Sequence, residues 1–301
     1  MTERGDDPGA EAMRLILGHG DPGAMPSDAA QEGAARLAYY HAATGMRAGL
    51  PGDAAGLALV ADVMALYGRV PACEVAKRIG PMAVRAASRA RAEAGPVALR
   101  HRAVAGDVVV ARQRLAYAQF FAVEEYDVAW RRFDGTMSAA VTRAAFVSGD
   151  AVTVLPYDPV RDLVLVVEQF RAGPMARGDA QAWQLEAIAG RVDGGETPQA
   201  AARREAVEEA GLQLDQLIEV ARYYPSPGAV TEFLYSYVAV VALPKGVAGV
   251  FGVEDEAEDI RGHLIGFERL MDLIATGEVQ NAPLILTALW LQRERPRLRC
   301  L

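Results

Sequence analysis

The pattern of apolar and polar residues along the chain changes character near residue 105. Before that point, apolar residues recur at helical spacing over residues 54–67 and again over residues 81–94. Pro71 suits the first turn of a short helix between them. From Val108 onward, short runs of β-branched and aromatic residues are closed by turn signals such as Asp134-Gly135, which favours strands. The pattern therefore predicts a small, mainly helical region followed by a β-rich one.

The second region contains several further elements with clear boundaries. Two strands flank the turn-like stretch YDPVRD and are expected to form a hairpin. A long loop, RAGPMARGDAQA, follows them. The strand candidates are residues 151–156, 163–170, 183–188, the surroundings of Tyr223, and residues 233–241. The helix candidates are residues 198–210, with Gly211 placed to end the helix, and residues 282–293.

The first hundred residues are harder to interpret. Residues 1 to about 50 are rich in Gly, Ala, Asp and Pro, and loop-like stretches such as DPGAMPSD break any long periodic pattern. The sequence therefore does not settle whether these residues form an ordered structure. Three arginines lie on the polar side of the helix predicted over residues 81–94. Because the whole chain is acidic, we interpret this basic stripe as a solvated helix face and not as a nucleic-acid site.

Composition narrows the class of protein. A hydrophobic fraction of 51% supports a real core, and a formal charge of -8 disfavours nonspecific binding to nucleic acid or to an anionic membrane surface. The sequence has no run of the roughly 20 apolar residues that a membrane-spanning helix needs, and its start lacks the layout of a secretory signal. Cys73 and Cys300 lack metal-ligand spacing. We therefore expect two unpaired thiols and a cytoplasmic protein.

The most informative segment is residues 190–212, GRVDGGETPQAAARREAVEEAGL. Seven fixed positions, at an average frequency of about one in fifteen each, would match by chance in a chain of this length on the order of once in 10^5 to 10^6. The seven positions are Gly190, Glu196, Arg204, Glu205, Glu208, Glu209 and Gly211, and the apolar Leu212 follows them. The spacing is therefore a specific signal.

The carboxylates of this segment predict a cation site. On a helix, Glu205, Glu208 and Glu209 share one face, where like charges repel by about 0.2–0.5 kcal/mol per pair. Hard divalent ions, Mg2+ above all, bind such oxygen ligands together with substrate phosphates, and can activate water for attack at phosphorus. Arg204 is placed to pair with Glu196. The alternative is an acidic, solvated helix end, against which the glycine spacing and the Glu196–Arg204 pair argue.

Residues 190–212 resemble the Nudix box at every fixed position, with small Ala206 as the one soft departure. The resemblance implies an α/β fold: an α/β/α sandwich around a mixed sheet, over residues 106–301. Over about residues 108–295 the chain is similar to the ADP-ribose pyrophosphatase branch, including the tellurite-resistance-associated Nudix proteins. This wider similarity rests on the segments AQFFAVEEYDV, FDGTMS, YDPVRD, VEQFRAGP, LEAIAGR, YPSPGAVTE, VEDEAEDIRGHL and NAPLILTALWLQ.

Residues 1–105 lie outside that similarity. The stretch ARLAYYHAATGM weakly resembles the end of a gamma-glutamylcyclotransferase-like domain, whose glycine-rich opening is absent here. A degenerate, inactive remnant is expected. Tyr39, Tyr40 and His41 are then packing residues.

The resemblance also assigns catalytic and metal-binding residues. Glu205 and Glu209 match metal ligands, Glu208 assists them, and the carbonyl of Ala189 matches a backbone ligand. In the acidic loop, Glu256 matches the general base and Glu258 a further metal-linked carboxylate; the alternative is a loop that faces solvent. A base outside the box can approach the water from another side. The residues expected to shape the box itself are Gly190, Glu196, Arg204 and Gly211.

Substrate contacts follow in the same way. Arg171 matches an arginine that faces the phosphates, and Phe120 and Arg143 match positions that sandwich adenine, partly from a neighbouring subunit. On residue type alone, Phe120 would be a core residue and Arg171 a surface one. Glu232, and the loop from Ser226 to Gly228, match groups near the substrate. Ala229-Val230 departs from the common pattern and leaves the fine choice of substrate open.

The resemblance implies Mg2+-dependent hydrolysis of ADP-ribose to AMP and ribose 5-phosphate, with two or three ions that Mn2+ can replace. It further implies a small-molecule substrate and a homodimer through residues 108–145. From the acidic composition we expect no nucleic-acid or membrane partner. Two alternatives stay open. One is hydrolysis of another nucleoside diphosphate sugar or a dinucleotide. The other is a regulator that binds ADP-ribose without cutting it.

Overall fold

The computed structural model describes residues 8–18, 27–45, 53–92, 95–244, 246–252 and 259–300. The chain divides into two compact units. The N-terminal unit comprises Met1–Gly149 with Asp193–Gly195 and Gly228–Thr231. The C-terminal unit comprises Asp150–Val192, Glu196–Pro227 and Glu232–Leu301. The domain boundary predicted between residues 105 and 106 stays a prediction.

Helices open the N-terminal unit. The described helices are α1 (Pro8–Leu17), α2 (Ser27–Thr44), α3 (Ala54–Met64), α4 (Ala72–Ala76) and α5 (Ile79–Arg91). α3 begins where the Asp53 side chain accepts a hydrogen bond of 2.7 Å from the amide of Gly56, an N-cap of the usual kind. The helices enclose an apolar core that includes Ile16, Tyr40 and Val63, all fully buried. Tyr40 is therefore a packing residue, as predicted.

α1 and α2 lie in the part of the chain where the sequence pattern did not settle whether regular structure forms. α1 and α2 occupy the Ala- and Gly-rich stretch, and each contributes fully or nearly fully buried residues to the core, Ala12 and Ile16 from α1 and Tyr40 and Ala43 from α2. α3, α4 and α5 agree with the predicted helical segments to within a few residues.

The interpretation of the α5 arginines as a solvated face is wrong for Arg85. Its residue surface is only 6% exposed. A charged side chain is rarely buried without partners, and Arg85 donates to a backbone carbonyl of the sheet that follows.

A three-stranded antiparallel sheet completes this unit, in the order β1 (Val108–Ala118), β2 (Ala122–Trp130), β3 (Val141–Val147). β1 is an edge strand, and every residue in it except the last is exposed. The β2–β3 connection contains the predicted turn, with Gly135 at φ +87°, a conformation that glycine adopts without strain.

The C-terminal unit is built on an eight-stranded sheet among the described residues. β10, β11, β5, β4, β9 and β8 are neighbours in that order, while β6 pairs with β5 and β7 pairs with β4. β4 and β9 run parallel and the other pairs antiparallel, so the sheet is mixed. The strands are β4 (Ala151–Asp158), β5 (Leu163–Phe170), β6 (Trp183–Glu186), β7 (Ile188–Arg191), β8 (Gln216–Tyr223), β9 (Leu234–Val240), β10 (Val250–Phe251) and β11 (Ile260–Gly266).

Helices cover both faces of this sheet because successive strand residues point to opposite sides. Val154 and Val167 pack with the apolar side of α7 (Pro198–Ala210). Leu155 and Val166 pack with α8 (Phe267–Thr276) and α9 (Ala282–Leu298). The predicted α/β/α sandwich with a mixed sheet is confirmed, as is the hairpin of β4 and β5.

Several elements differ from the sequence interpretation. The predicted long loop after β5 contains a six-residue helix, α6 (Ala172–Arg177), which ends at Gly178 with φ +93°. β10, β11 and α8 were not predicted. α9 runs to Leu298, past the predicted end at residue 293, and Leu298 is fully buried. Its last turns are charged, so apolar periodicity alone underestimates its length.

One simple expectation, that of two unpaired thiols, agrees with the structure. Cys73 and Cys300 are both exposed free thiols. In the described part of the chain, every helix is too short or too polar to cross a membrane.

Candidate active site

Local capping fixes the ends of α7. The Thr197 side chain accepts a hydrogen bond of 3.2 Å from the amide of Ala200, which satisfies one of the amides left open in the first turn. At the other end, Gly211 adopts φ +61°, and the amide of Leu212 donates to the carbonyl of Ala206 at 2.9 Å. The predicted boundaries of this helix are confirmed.

Two carboxylates of α7 point onto strand β7. Glu209 is 1% exposed, and its Oε2 accepts a hydrogen bond of 3.1 Å from the amide of Ala189. Glu205 is 9% exposed and lies directly against Gly190, where a Cβ atom would overlap with the Glu205 side chain. Glycine at position 190 therefore allows the helix carboxylate to reach the strand backbone.

Arg204 ties the carboxylates to the loop that precedes the helix. Its Nε and Nη2 each lie 3.1 Å from a different oxygen of Glu196, so the pairing predicted from the sequence is confirmed. Its Nη1 donates to Glu205 at 2.6 Å and to Glu208 at 2.9 Å, and its Nη2 donates to the carbonyl of Arg191 at 2.9 Å. Burial opposes the charge, yet bonds to Glu196 and Glu205 raise the pKa of Arg204 above its ordinary value.

The oxygen atoms at this site are chemically suited to binding a hard divalent ion. Carboxylates of Glu205, Glu208 and Glu209 and the backbone of Ala189 lie at one contact between helix and strand, and such oxygens suit Mg2+. Among the residues that the structure describes, no three acidic, His or Cys side chains are arranged as a metal site. Instead, the Arg204 guanidinium bridges Glu205 and Glu208. Glu256 and Glu258 lie outside the described residues.

A second polar cluster forms where β5 and β6 end. Arg171 donates to Glu186 through Nη2 at 2.6 Å and through Nε at 3.1 Å. Glu186, which is 6% exposed, also accepts from Gln169 at 3.4 Å and from Asn281 at 3.2 Å. Glu186 was not identified from the sequence. Its one signal was an acidic residue at the end of a short strand, directly before the segment AIAGR.

Glu232 joins this second cluster electrostatically. Burial raises the pKa of Glu232, whereas the charges of Arg191 and Arg171 lower it and that of Glu186 raises it. The same carboxylate helps to raise the pKa of Tyr223, although burial is the larger cause there. The structure therefore brings together Arg171 and Glu232, two of the predicted substrate contacts.

The other predicted substrate contacts are exposed. Ser226 lies in the loop after β8 of the C-terminal unit, and Phe120, Arg143 and Gly228 belong to the N-terminal unit. The Arg143 guanidinium lies over the ring of Trp130, 5.7 Å from its centroid. Trp130 was not identified from the sequence. The adenine sandwich of Phe120 and Arg143 stays a prediction.

The contact at Gly190 leads to a prediction about stability. We expect Gly190→Ala to cost about 1–3 kcal/mol of unfolding free energy, because the added methyl group displaces the Glu205 side chain. Urea unfolding measures this cost. Gly194→Ala is the matched control, since a Cβ atom there meets nothing within 4 Å. In a Glu205→Ala background the cost should nearly disappear; an equal cost in both backgrounds would contradict the proposed contact.

The raised pKa of Glu232 leads to a prediction about how stability depends on pH. Its folded pKa lies above its unfolded value, so its stabilising contribution is complete at low pH and is lost as pH rises through the folded pKa. Glu232→Gln should therefore raise the melting temperature at pH 7, with a gain that shrinks as pH falls through the folded pKa and is absent below the unfolded value of about 4.3. Glu219→Gln, which removes an exposed partner of Arg222, is the control. A lower melting temperature for Glu232→Gln at pH 7 would show that the arginines outweigh burial.

Comparisons with known proteins agree with this geometry. The model of the NUDIX domain matches residues 147–287. ADP-ribose pyrophosphatase of Escherichia coli K12 is 36% identical over 191 residues, which cover 64% of this chain and 90% of that protein. ADP-ribose pyrophosphatase of Haemophilus influenzae is 32% identical over 188 residues, covering 62% and 86%.

Two further matches are more distant. GDP-mannose pyrophosphatase of Yersinia pestis is 31% identical over 167 residues, which cover 56% of this chain and 82% of that protein. A crystal structure of an ADP compounds hydrolase superposes with a TM-score of 0.48 and 20% identity, covering 64% of this chain and 98% of that one. The box geometry, the matched domain and the identity to relatives over most of their length lead to one conclusion: this chain belongs to the Nudix hydrolase family.

Proposed function

We propose that this chain hydrolyses the pyrophosphate of ADP-ribose to AMP and ribose 5-phosphate in an Mg2+-dependent reaction. The observation that carries the proposal is the contact between α7 and β7, where Glu205 lies against Gly190 and Glu209 binds the amide of Ala189. The substrate is supported by the two ADP-ribose pyrophosphatases, which the chain matches over 90% and 86% of their length.

Glu205, Glu209 and the carbonyl of Ala189 would hold the metal, with Glu208 assisting. A bound divalent ion neutralises charge on the pyrophosphate and lowers the pKa of the attacking water. Two or three Mg2+ ions, replaceable by Mn2+, are expected from the resemblance to the family. Glu256 as general base and Glu258 as a further ligand rest on that resemblance alone.

The protein's own groups hold these carboxylates in place before substrate binds. The amide of Ala189 fixes one oxygen of Glu209. Arg204 holds Glu205 and Glu208 on one side and Glu196 on the other, which orients the acidic face of α7 relative to the glycine loop. Such preorganisation reduces the rearrangement needed during the reaction.

Arg171 and Glu232 are proposed to bind the substrate. Glu186 holds Nε and Nη2 of Arg171 and so fixes the plane of the guanidinium, whose forked donors suit phosphate oxygens. Glu232 is half-buried beside this arginine and can accept hydrogen bonds from hydroxyl groups of a sugar. Ser226, Gly228, Phe120 and Arg143 complete the proposed set.

A different nucleoside diphosphate sugar is the second candidate, because the Yersinia pestis relative is a GDP-mannose pyrophosphatase. A regulator without catalysis is less well supported, since every carboxylate of the box is present. A cytoplasmic location remains our expectation.

The first test is release of AMP from ADP-ribose with Mg2+, compared between wild type and Glu209→Gln. The amide oxygen of glutamine can still accept from Ala189, so the fold should persist while the negative charge is lost. We expect kcat to fall by on the order of 10^2 to 10^3, equivalent to several kcal/mol of transition-state stabilisation. Glu219→Gln, on the surface of β8, is the matched control and should retain full activity.

A panel of nucleotide sugars and dinucleotides decides the substrate. Preferred turnover of GDP-mannose over ADP-ribose would replace the proposed substrate while keeping the reaction. Binding of ADP-ribose without cleavage of any compound, by wild type and variant alike, would instead identify a regulator.

We also propose a homodimer formed through the three-stranded sheet. β1 is exposed along its length and presents large apolar side chains, including Val109 at 49%, Leu115 at 40% and Tyr117 at 55% exposure. Exposed apolar strands of this kind mark association surfaces, because an open edge also offers unpaired backbone groups. A second copy of the chain would cover them.

Light scattering during size-exclusion chromatography measures this assembly. Wild type should have the mass of two chains, and Val109→Glu combined with Leu115→Glu should shift it to one chain, since desolvating two carboxylates opposes burial. Val160→Glu, at a position that is 86% exposed in the β4–β5 turn, should leave the mass unchanged. A fully active wild type with the mass of one chain would overturn the proposal.

A further inference from the structure

A cavity of about 410 Å³ opens beside helix α8, over the sheet of the C-terminal unit. On this side of the sheet, Val166 of β5 and Ile265 of β11 pack with α8 and α9. α8 ends at Gly277, which adopts φ +81°, and the amide of Glu278 donates to the carbonyl of Leu273 at 3.0 Å. The volume is typical of small-molecule sites. This α8 groove is lined by residues that include Val166, Glu168, Trp183, His263, Arg269 and Leu273.

The α8 groove lies on the side of the sheet opposite the box. Successive residues of a strand point to opposite sides, and Val167 packs with the apolar side of α7, whereas Val166 packs with α8 and α9. Val166 and Leu185 both line the groove and both belong to the α8 side. The groove is therefore separate from the carboxylates of α7.

Two polar side chains interrupt this mainly apolar side of the sheet. Glu168 follows Val166 by two residues along β5, so both point to the same side. His263 stands in the same relation to Ile265 on β11. His263 Nε2 lies 2.8 Å from Glu168 Oε2, and Arg261 Nη1 lies 3.8 Å from the same oxygen. About a third of each side chain is exposed, 29% for Glu168 and 35% for His263, so the pair is accessible to a ligand.

An exposed tryptophan lines the α8 groove on the side of β6. Trp183 is 55% exposed and pairs across the sheet with Phe170, which is 46% exposed. The two rings meet edge to face, with centroids 5.7 Å apart. An indole combines a large apolar surface with one N–H donor, and most of that surface is usually covered. Its exposure beside a groove marks a surface that a ligand can cover.

The remaining polar groups of the α8 groove provide both donors and acceptors. Gln181 and Gln280 each carry an acceptor oxygen and an NH2 donor group. Arg269 carries donors and Glu278 carries acceptors. The carboxylates of Glu168 and Glu278 repel an anion, and the guanidinium of Arg269 repels a cation. A neutral ligand meets neither repulsion.

A sugar ring has the chemistry that these groups complement. Its C–H groups can pack on the face of an indole, which is apolar. Its hydroxyl groups both donate and accept hydrogen bonds, so carboxylates can accept from them while amide groups and a guanidinium donate to them. Both kinds of partner line the α8 groove.

We propose that the α8 groove is a second ligand site, which binds a neutral pentose or hexose ring over β5. Trp183 of β6 packs on one face of the ring, and the pair of Glu168 and His263 binds its hydroxyl groups from the side of β11. The site is independent of the pyrophosphate chemistry proposed for the box.

Saturation-transfer NMR on the full chain, with D-ribose, D-glucose and D-mannose as probes, tests this site. We expect at least one sugar to bind with a Kd of about 1–10 mM, as suits a ligand of about ten to twelve non-hydrogen atoms. Trp183→Ala and Glu168→Gln should each weaken that binding about tenfold, because one loses the packing surface and the other a charged acceptor. Leu289→Ala, at a 50% exposed position of α9 outside the groove, is the matched control and should bind as wild type does.

Binding of the sugar at the proposed substrate site would give another pattern. Glu232→Ala should leave sugar binding unchanged. Loss of binding in Glu232→Ala, with normal binding in Trp183→Ala, would overturn the second site. Absence of transfer to all three sugars at about 50 mM, well above the expected Kd, would overturn it as well.

Three further probes test the class of ligand. Choline represents a cation, inorganic phosphate an anion and adenine a flat base. Tighter binding of any of these than of the sugars, abolished by Trp183→Ala, would overturn the assignment to a sugar. Thermal unfolding checks each variant. If Trp183→Ala fails to fold, Glu168→Gln decides, since it keeps the size of the side chain; unchanged sugar binding in it would then overturn the proposal.

The binding measurements need no turnover, so they are independent of the proposed function. Protein that binds a sugar in the α8 groove but cleaves no pyrophosphate removes the proposed function alone. Protein that cleaves ADP-ribose but binds no sugar there removes the second site alone.

Discussion

The contact between α7 and β7 leaves no room for a side chain at position 190, and the rest of the site depends on that closeness. It brings Glu205 to the strand backbone and lets Glu209 reach the amide of Ala189. Both carboxylates are thereby almost removed from water, which is unfavourable unless positive charge and donors are supplied. For Glu205, Arg204 supplies both: it binds this carboxylate, the loop through Glu196 and the end of β7 through the carbonyl of Arg191.

Features set by local chemistry could be predicted from the sequence. The ends of α7 follow from a threonine cap and a left-handed glycine, each acting within a few residues, and the Glu196–Arg204 pair follows from a short fixed spacing. Glu186 could not be found in that way. Its partners Arg171 and Asn281 are 15 and 95 residues away, so only the folded sheet shows that this acidic residue organises a polar cluster.

The N-terminal helices show a second limit of prediction from sequence, which concerns what a polar helix face contacts. Helical spacing assigned the arginines of α5 to a polar face, and a polar face was equated with solvent. In the structure, the partner of Arg85 is a carbonyl 35 residues further along the chain. Periodicity identifies which side chains share a face, but it does not identify what covers that face. In α1 and α2, alanine- and glycine-rich sequence hid the periodicity itself, although Tyr40 is fully buried.

The negative charge around Arg204 explains the need for a metal ion, but it does not explain the choice of substrate. Arg204 binds three carboxylates, Glu196, Glu205 and Glu208, so one guanidinium leaves this cluster negative. Two like charges 4 Å apart repel by about 4 kcal/mol at an effective dielectric of 20, so a pyrophosphate is repelled from this cluster unless further cations accompany it. A divalent ion meets that need for any pyrophosphate, whatever its sugar or base. Discrimination between substrates must therefore come from groups outside the box, for which Arg171 and Glu232 stay our proposal, each on a segment that can vary independently of it.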